Sequence, residues 1–344
     1  MSSPFYHAFI GTNSVRGSRG IYTLRIDPLR GTAEIVSTTQ AYNSGCVVLS
    51  PDAQTLYAVA EGMTYDGLAQ GGLTAYRVSP DGTLTKINGQ PTGGQRPCCA
   101  AVDAAGKTAY ACNFYHGTWS AFPIRPDGGL EPPSVTVSPP EDAAWKAAHC
   151  IGLMEGGLVG VISLAECALV VYRPDGTRFA AFPFPDNPFP RYFAAAGGNL
   201  YAMMQFPDDI YVLAWDSERP GLRLLQKIAV QDDAHRAMPA TSTIRVTPDQ
   251  SLVLAANRPS NSISVFSRRP DGTLAREDMV VIPGDGPRDF HISRDGALAV
   301  VAMQHSDEVF VLKIDYEHKT LRPLGGPVKV PSPAAVAVSG RLEP

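Results

Sequence analysis

The side chains best suited to chemistry are one histidine, three arginines, one glutamate and two glutamines: His149, Arg191, Arg258, Arg288, Glu61, Gln205 and Gln304. Arginine presents a planar fork of donors that matches a carboxylate or a phosphate group. Histidine gives or takes a proton near neutral pH. If these side chains converge, they predict a site that holds a small anion beside a proton-transfer group. The chemistry therefore depends on the elements that bring them together.

The chain repeats one phrase with a period of about 40–50 residues, which is the period of a propeller blade. Each copy reads as an apolar strand, an Asp-Gly-like turn, a second apolar strand, a loop, a third strand, another turn and a fourth strand. Clear copies include LSPDAQTLYAVAEG (49–62), AVDAAGKTAYACNF (101–114) and IRVTPDQSLVLAANR (244–258). Asp-Gly suits the positive φ of tight hairpins, and the strands are rich in Val, Ile, Tyr and Phe. The pattern therefore predicts antiparallel blades of four strands.

Six complete copies and one split copy predict an all-β protein, a single seven-bladed β-propeller domain spanning residues 1–344. We number the blades from the N-terminus, with predicted spans of about 5–38 plus 333–340, 45–90, 97–137, 148–184, 189–230, 241–282 and 287–330. The segment SPAAVAVSG (332–340) resembles the innermost strand of the other copies. We therefore expect the strand at 333–338 to join the N-terminal strands, which closes the ring and removes an exposed sheet edge.

The candidate residues occupy two corresponding positions of the blades. His149, Arg191 and Arg288 enter innermost strands, whereas Glu61, Gln205, Arg258 and Gln304 end the strands that follow. Because neighbouring antiparallel strands put the start of one beside the end of the next, both positions lie at the same mouth of the central channel. Blades 4 to 7 carry the histidine and the arginines, and Glu61 lies across the channel.

Purely structural roles remain open for each of these residues. An arginine can pair with a carboxylate of the next blade or cap loop carbonyls, and Asp285 or Asp289 lies close to Arg288 in sequence. Glu61 can be the partner of an arginine, and the two glutamines can orient arginines rather than touch a substrate. We expect convergence at one mouth to favour binding of a small anionic substrate.

The repeated phrases resemble those of the lactonase family of seven-bladed propellers, over nearly the whole chain. That family includes the propeller-type 6-phosphogluconolactonases and the fungal 3-carboxy-cis,cis-muconate lactonising enzymes. The resemblance places the family's site histidine on His149, its Gly-Pro-Arg arginine on Arg191 within FPR, and its Asn-Arg arginine on Arg258. The family's acidic residue of blade 5 falls on Gln205, within AMMQ, and Gln carries no charge and exchanges no proton. A family histidine at blade 3 is replaced by Cys99.

The resemblance implies a cofactor-independent enzyme that opens or forms a lactone on a small carboxylated substrate, such as a carboxymuconate or a sugar-acid lactone. In that hypothesis His149, Arg191, Arg258 and Glu61 are catalytic, and Gln205, Arg288 and Gln304 bind substrate. One alternative is a non-catalytic propeller that binds an anionic metabolite or a protein partner. Another is a metal-dependent lactonase with Glu61 and Asn113 as ligands, although no further ligand falls at matching positions.

Composition narrows the choice of partners and compartment. The net charge is −4 and no basic stripe is present, which argues against nucleic acid. No segment approaches the roughly 18 apolar residues of a membrane span. The N-terminus lacks the features of a signal peptide, so we expect a cytoplasmic protein. We expect six reduced cysteines and no metal site. The sequence does not determine the oligomeric state.

Overall fold

The computed structural model describes residues 4–216, 221–232 and 240–342. Blade 1 contains β1 (Tyr6–Thr12), β2 (Gly20–Asp27) and β3 (Thr32–Gln40). Blade 2 contains β4 (Val47–Leu49), β5 (Thr55–Ala60), β6 (Gly72–Val78) and β7 (Leu84–Pro91). Blade 3 contains β8 (Gln95–Val102), β9 (Thr108–Tyr115), β10 (Trp119–Pro123) and β11 (Val135–Val137). Blade 4 contains β12 (Ala148–Leu153), a 3-10 turn (Glu155–Gly157), β13 (Val159–Ser163), β14 (Ala168–Tyr172) and β15 (Arg178–Pro183).

The remaining three blades follow the same plan. Blade 5 contains β16 (Phe189–Ala196), β17 (Asn199–Phe206), β18 (Asp209–Trp215) and β19 (Leu222–Ala229). Blade 6 contains β20 (Thr241–Val246), β21 (Leu252–Asn257), β22 (Ser262–Arg268) and β23 (Leu274–Val281). Blade 7 contains β24 (Pro287–Ile292), β25 (Leu298–Met303), β26 (Glu308–Asp315) and β27 (Thr320–Pro323), with a short β28 (Val328–Lys329) beside β26. The chain ends with β29 (Pro333–Val338).

The last strand closes the ring, as the sequence predicts. β29 pairs antiparallel with β1, with Ala8 opposite Val338 and Ile10 opposite Val336. Blade 1 therefore has the strand order β29-β1-β2-β3. In the described parts of the chain the strands form seven sheets, each with a consecutive antiparallel order. The predicted all-β, seven-bladed architecture is confirmed.

The hairpin turns show why the repeated Asp-Gly phrase recurs. Gly82 in blade 2 has φ of +84° and its N–H donates to the carbonyl of Ser79 at 2.9 Å. Gly272 in blade 6 has φ of +86° and donates in the same way to Arg269. An L side chain rarely adopts these angles, so glycine closes the turn without strain.

The core lies between the blades. The second strands are buried along their length, as in β13 (VGVIS) and β25 (LAVVAM), whereas the outer strand β3 is half-exposed or exposed throughout. Apolar side chains of neighbouring blades interdigitate, and Trp119 is among the largest fully buried side chains. This dense packing fixes the inner strands, and therefore the side chains at their ends, within a rigid frame. Among the described residues, no helix has the length and apolar character of a membrane span.

Candidate functional site

A β-bulge marks the start of the innermost strand in most blades. The strand register skips Cys98 in blade 3, His149 in blade 4, Arg191 in blade 5 and Arg288 in blade 7. In blade 6 the skipped pair is Ser242 and Thr243, and in blade 1 the register shift between β1 and β29 skips Ala334. A bulged residue leaves the ladder and its side chain is re-aimed, which is why bulges recur beside functional sites. The repeat thus carries a positioning device that aims these residues at the channel mouth.

The bulged residues line a cavity of about 290 Å³ at that mouth. Five of the seven predicted residues line it: His149, Arg191, Arg288, Glu61 and Gln205. The other lining side chains are Cys46, Arg96, Cys98, Phe114, Phe189, Tyr192, Ser242, Thr243, Asp289 and Ala334, together with Gly45. The cavity volume lies near the lower end of the range for ligand pockets, which is about 300–1,000 Å³. The mouth therefore accommodates a small ligand.

Arg191 is the centre of the hydrogen-bond network. Its side chain is buried, with only 6% of the residue exposed. Its Nη1 donates to Oε1 of Gln205 at 2.6 Å and lies 2.9 Å from Nε2 of His149, and its Nε donates to the carbonyl of Ser242 at 2.9 Å. Burial, and then the positive charges of Arg288 and Arg258, hold the pKa of Arg191 well below its usual range. All three of these hydrogen-bond partners are uncharged, so an anion that reaches this guanidinium is stabilised.

His149 is an uncharged acceptor in this network. Arginine only donates hydrogen bonds, so the contact with Arg191 requires that Nε2 accept and that the ring proton lie on Nδ1. Nδ1 is buried and has no hydrogen-bond partner among the described residues. Burial, and then the charges of Arg191 and Arg288, hold the pKa of His149 well below 6.5. The imidazole is therefore neutral at pH 7 and its Nε2 lone pair is directed at the polar side of the site.

Arg288 supplies a second positive charge to the cavity. Its guanidinium makes no hydrogen bond or ion pair with any residue that the structure describes, although it is half-buried. The neighbouring carboxylate, Asp289, is instead bound by Arg245, by the hydroxyl of Thr243 and by the N–H of Val336. The alternative in which Asp289 neutralises Arg288 is therefore wrong. This second positive charge beside Arg191 makes the cavity strongly attractive to anions.

Arg258 and Gln304, two of the predicted site residues, lie outside the cavity lining. Arg258 donates from Nε to the carbonyl of Ala240 at 3.2 Å and from Nη2 to that of Thr241 at 3.3 Å. The side chain thus caps the loop that leads into β20, because two backbone acceptors lie within its reach. The burial of Arg258 and then the charge of Arg288 lower its pKa to about 10, so it still adds to the positive field.

Glu61 lines the cavity but is already bound by Arg96, which no motif of the sequence indicated. Both Nε and Nη2 of Arg96 donate to its Oε1, at 3.1 and 2.5 Å. Arg96 comes from the first residues of β8 with φ of +52°, and its guanidinium also lies over the rings of Phe114 and Tyr115. This ion pair occupies the Glu61 carboxylate, so Arg96 rather than a ligand is its partner.

The floor of the cavity contains Tyr192, Thr243 and Asp289, which each follow or share a bulge. The Asp289 carboxylate accepts from Thr243 Oγ1 at 2.9 Å and from the Val336 N–H at 2.9 Å, and it forms an ion pair with Arg245 at 3.3 Å. Burial raises the pKa of Asp289, and the charge of Arg245 opposes that rise. These residues therefore add a carboxylate and two hydroxyl groups to the cavity lining, which suits a polyhydroxylated ligand.

The groups considered for metal binding are held by other partners. The Asn113 side chain accepts from Thr92 Oγ1 at 2.7 Å and donates to Thr118 Oγ1 at 2.8 Å. Cys98 lines the cavity, whereas Cys99 is fully buried, with its Sγ 3.9 Å from both Sγ of Cys150 and the hydroxyl of Tyr192. All six cysteines are unpaired. Within the described ranges, no set of three or more His, Cys, Asp and Glu side chains is arranged to hold a metal ion.

Comparison with solved structures gives the same architecture over almost the whole chain. A putative 6-phosphogluconolactonase of Bacteroides uniformis superposes with a TM-score of 0.86 at 24% identity, covering 98% of this chain and all of that one. A periplasmic gluconolactonase of Pseudomonas aeruginosa superposes with a TM-score of 0.87 at 22% identity, covering 97% of this chain and 99% of that one. At these identities the likeness shows the fold.

Sequence comparison identifies the family. A 6-phosphogluconolactonase of Bacillus subtilis is 27% identical over 345 aligned residues, covering 96% of this chain and 97% of the relative. A 6-phosphogluconolactonase of Sodalis glossinidius is 24% identical, covering 78% of this chain and 82% of the relative. The family model described as lactonase, 7-bladed beta-propeller, matches residues 7–338. The resemblance inferred from the repeated phrases is therefore confirmed: the chain belongs to the lactonase family of seven-bladed β-propellers.

Proposed function

We propose that this chain hydrolyses the lactone of a sugar acid that carries a negative charge, at the cavity between His149, Arg191 and Arg288. The observation that carries the proposal is the pair of cavity arginines without a carboxylate partner among the described residues. The family membership and the names of the relatives support a lactonase. We infer hydrolysis rather than lactone formation from a muconate, because hydroxyl-binding groups line the floor of the cavity.

The charge on the substrate follows from lactone chemistry. The carboxyl group of a sugar acid is consumed when the ring ester forms, so a simple lactone is neutral. An excess of positive charge at the site therefore points to a second anionic group, and phosphate matches the guanidinium fork of Arg288. Asp289, on the floor, repels that group and favours a hydroxyl in its place. We infer that the phosphate lies toward Arg288, the lactone carbonyl toward Arg191 and the polyol toward Asp289.

The reaction needs a base for water and charge stabilisation for the carbonyl oxygen. When the anionic substrate competes for Nη1 of Arg191, Nε2 of His149 is released and takes a proton from the attacking water. The water oxygen bonds to the carbonyl carbon, and Arg191 stabilises the oxyanion that develops. The ring C–O bond then breaks, and the proton on Nε2 passes to the leaving alkoxide. The products are one hydroxy acid and the regenerated neutral imidazole.

The decisive experiment compares two lactones that differ only in the phosphate. Hydrolysis of 6-phosphogluconolactone and of gluconolactone is followed by acid release, with the spontaneous rate subtracted. We expect kcat/KM to be at least 100-fold higher for the phosphorylated lactone, and His149→Ala to remove most of the rate. Equal rates for the two lactones would contradict the assigned role of the arginines. Tight binding of 6-phosphogluconate without any turnover of lactone would favour the non-catalytic alternative. Loss of activity with a chelator would favour the metal-dependent one.

A further inference from the structure

Five aromatic rings form a continuous arc on one side of the mouth, which we call the aromatic arc: Tyr115, Phe114, Trp145, Phe189 and Phe206. Ring centroids are 5.7 Å apart between Phe114 and Tyr115 and 5.9 Å between Phe114 and Trp145. They are 5.6 Å apart between Trp145 and Phe189 and 6.0 Å between Phe189 and Phe206. The rings come from β9, from the loop before β12 and from blade 5. Three separate parts of the fold therefore build one surface.

Three rings of the aromatic arc, the two at its ends and the one at its centre, face solvent. Tyr115 is 38% exposed, Trp145 is 45% exposed and Phe206 is 44% exposed. Large apolar side chains that lie together in water, rimmed by polar groups, mark binding surfaces for ligands or partners. Because these rings contact one another, they present one surface rather than isolated residues. The arc is thus a candidate binding surface with no role in the reaction described above.

The aromatic arc is continuous with the proposed active site. Phe114 and Phe189 belong to the arc and also line the cavity, and Phe114 packs edge-on against the His149 ring at 5.7 Å. At one end of the arc the Arg96 guanidinium lies 5.2 Å from the centre of the Tyr115 ring. Arg96 is anchored by Glu61, which fixes a charged donor group beside the exposed rings. A ligand that leaves the cavity on this side meets first Phe114 and then Trp145.

We propose that the aromatic arc is a second subsite, which binds a further sugar ring attached to the lactone that the cavity holds. The inference rests on the proposed lactonase function and names its substrate class more narrowly: an anionic sugar-acid lactone that also bears a glycosidically linked sugar, for which unphosphorylated aldobionic acids and their lactones serve as probes. The C–H groups on one face of a pyranose ring carry partial positive charge and meet the negative face of an aromatic ring. The cavity of about 290 Å³ holds one sugar acid, so the second ring lies outside it, on the arc. Arg96 is placed to donate hydrogen bonds to the hydroxyls of that ring.

Binding is tested with two carboxylate products that differ by one ring. Lactobionate carries a galactose ring on a gluconate, and gluconate supplies the same acid and polyol without it. Tryptophan fluorescence reports on the subsite, because Trp145 is the exposed one of the three tryptophans, whereas Trp119 is fully buried and Trp215 is half-buried. We expect lactobionate to shift the emission to shorter wavelength and change its intensity, and gluconate at the same concentration to leave it unchanged. Trp145→Phe should remove the signal, whereas the control Trp215→Phe, which alters the end of β18 at the opposite face, should keep it.

Kinetics provide the second arm of the test. In the natural chain, kcat/KM should be about tenfold higher for cellobionolactone than for gluconolactone. In Trp145→Ala the two values should be nearly equal, because one stacking contact is lost. Trp145 is exposed, so its replacement leaves the blades intact, which a melting curve verifies. If both lactones are hydrolysed equally and Trp145→Ala changes neither rate, the second subsite is overturned while the lactonase function stands. If lactobionate shifts the emission and no lactone is hydrolysed, the lactonase function fails and the subsite stands.

Discussion

Nη1 of Arg191 donates to Oε1 of Gln205 at 2.6 Å. Gln205 occupies the position at which the family resemblance predicts an acidic residue. The amide accepts the hydrogen bond but leaves the charge of Arg191 uncompensated. The same Nη1 atom lies 2.9 Å from Nε2 of His149, so one guanidinium nitrogen contacts both residues. The electrostatics of the site therefore depend on the side chain at residue 205.

We predict that Gln205→Glu weakens anion binding. A carboxylate within hydrogen-bond distance of Arg191 would compensate its charge, so the dissociation constant of 6-phosphogluconate should increase by about tenfold. The same negative charge should raise the pKa of His149, which an NMR titration of the imidazole measures. Gln54→Glu adds an identical charge at an exposed turn far from this mouth and serves as the control. Unchanged affinity in Gln205→Glu would mean that the anion does not bind at Arg191.

Arg288 and Arg258 should respond differently to replacement by methionine, which keeps much of the side-chain volume. Arg288→Met removes a charge that has no partner in the described parts of the chain, so we expect KM for the phosphorylated lactone to rise between 10-fold and 100-fold with no loss of thermal stability. Arg258→Met removes the side-chain donor from the carbonyls of Ala240 and Thr241, and only the backbone N–H of residue 258 still donates to Ala240. That change should lower the free energy of unfolding by about 1–3 kcal/mol, with a smaller effect on KM. Steady-state kinetics and denaturant unfolding of the two variants distinguish these outcomes, and the reverse pattern would exchange the two roles.

The fold could be predicted from the sequence because turn chemistry and strand period recur in every copy. The lone strand at 333–338 was interpretable for the same reason, since it resembles the other inner strands and blade 1 lacks one. Corresponding positions also predicted that His149, Arg191 and Arg288 share one mouth. The physical basis became visible only in the structure, where each of the three occupies a β-bulge that turns its side chain out of the ladder.

The rest of the site could not be predicted, for identifiable physical reasons. Arg258 occupies the predicted position, but a position in a repeat does not determine whether a long side chain reaches the cavity or a nearby carbonyl. Arg96 precedes the repeated phrase of blade 3, and its positive φ cannot be predicted from the residue types around it. Tyr192 directly follows the bulged Arg191, and Asp289 directly follows the bulged Arg288. The residue after the one that enters each innermost strand could therefore have been included among the candidates.

Glu61 should be far less important for turnover than His149. Its carboxylate is bound by Arg96, so Glu61→Gln should lower kcat by less than about fivefold and should lower KM for an anionic lactone, because Arg96 is then uncompensated. His149→Ala should lower kcat by 100-fold or more, within the range of about 10²–10⁴ for loss of a general base. Both variants are measured with the same phosphorylated lactone. A loss in Glu61→Gln as large as in His149→Ala would assign proton transfer to the carboxylate instead.

The stability of the protein should fall as the pH decreases below 6.5, and His291 should account for part of the fall. Burial, and then the charge of Arg245, lower the pKa of His291 to about 3, and its Nδ1 has no hydrogen-bond partner among the described residues. The unfolded chain binds a proton below about pH 6.5 and the folded chain does not, so stability is full above 6.5 and decreases down to about pH 3. One such group changes the free energy of unfolding by about 1.4 kcal/mol per pH unit in that window. The measurement is made between pH 6.5 and 5, because carboxylates with a lowered pKa, such as Asp52, stay ionised there. Over that range the melting temperature of His291→Asn should fall less steeply with decreasing pH than that of the natural chain. Because His149 is also held neutral, the variant should keep part of the pH dependence. If the melting temperatures of the two proteins fall with pH at the same slope, His291 is protonated in the folded state.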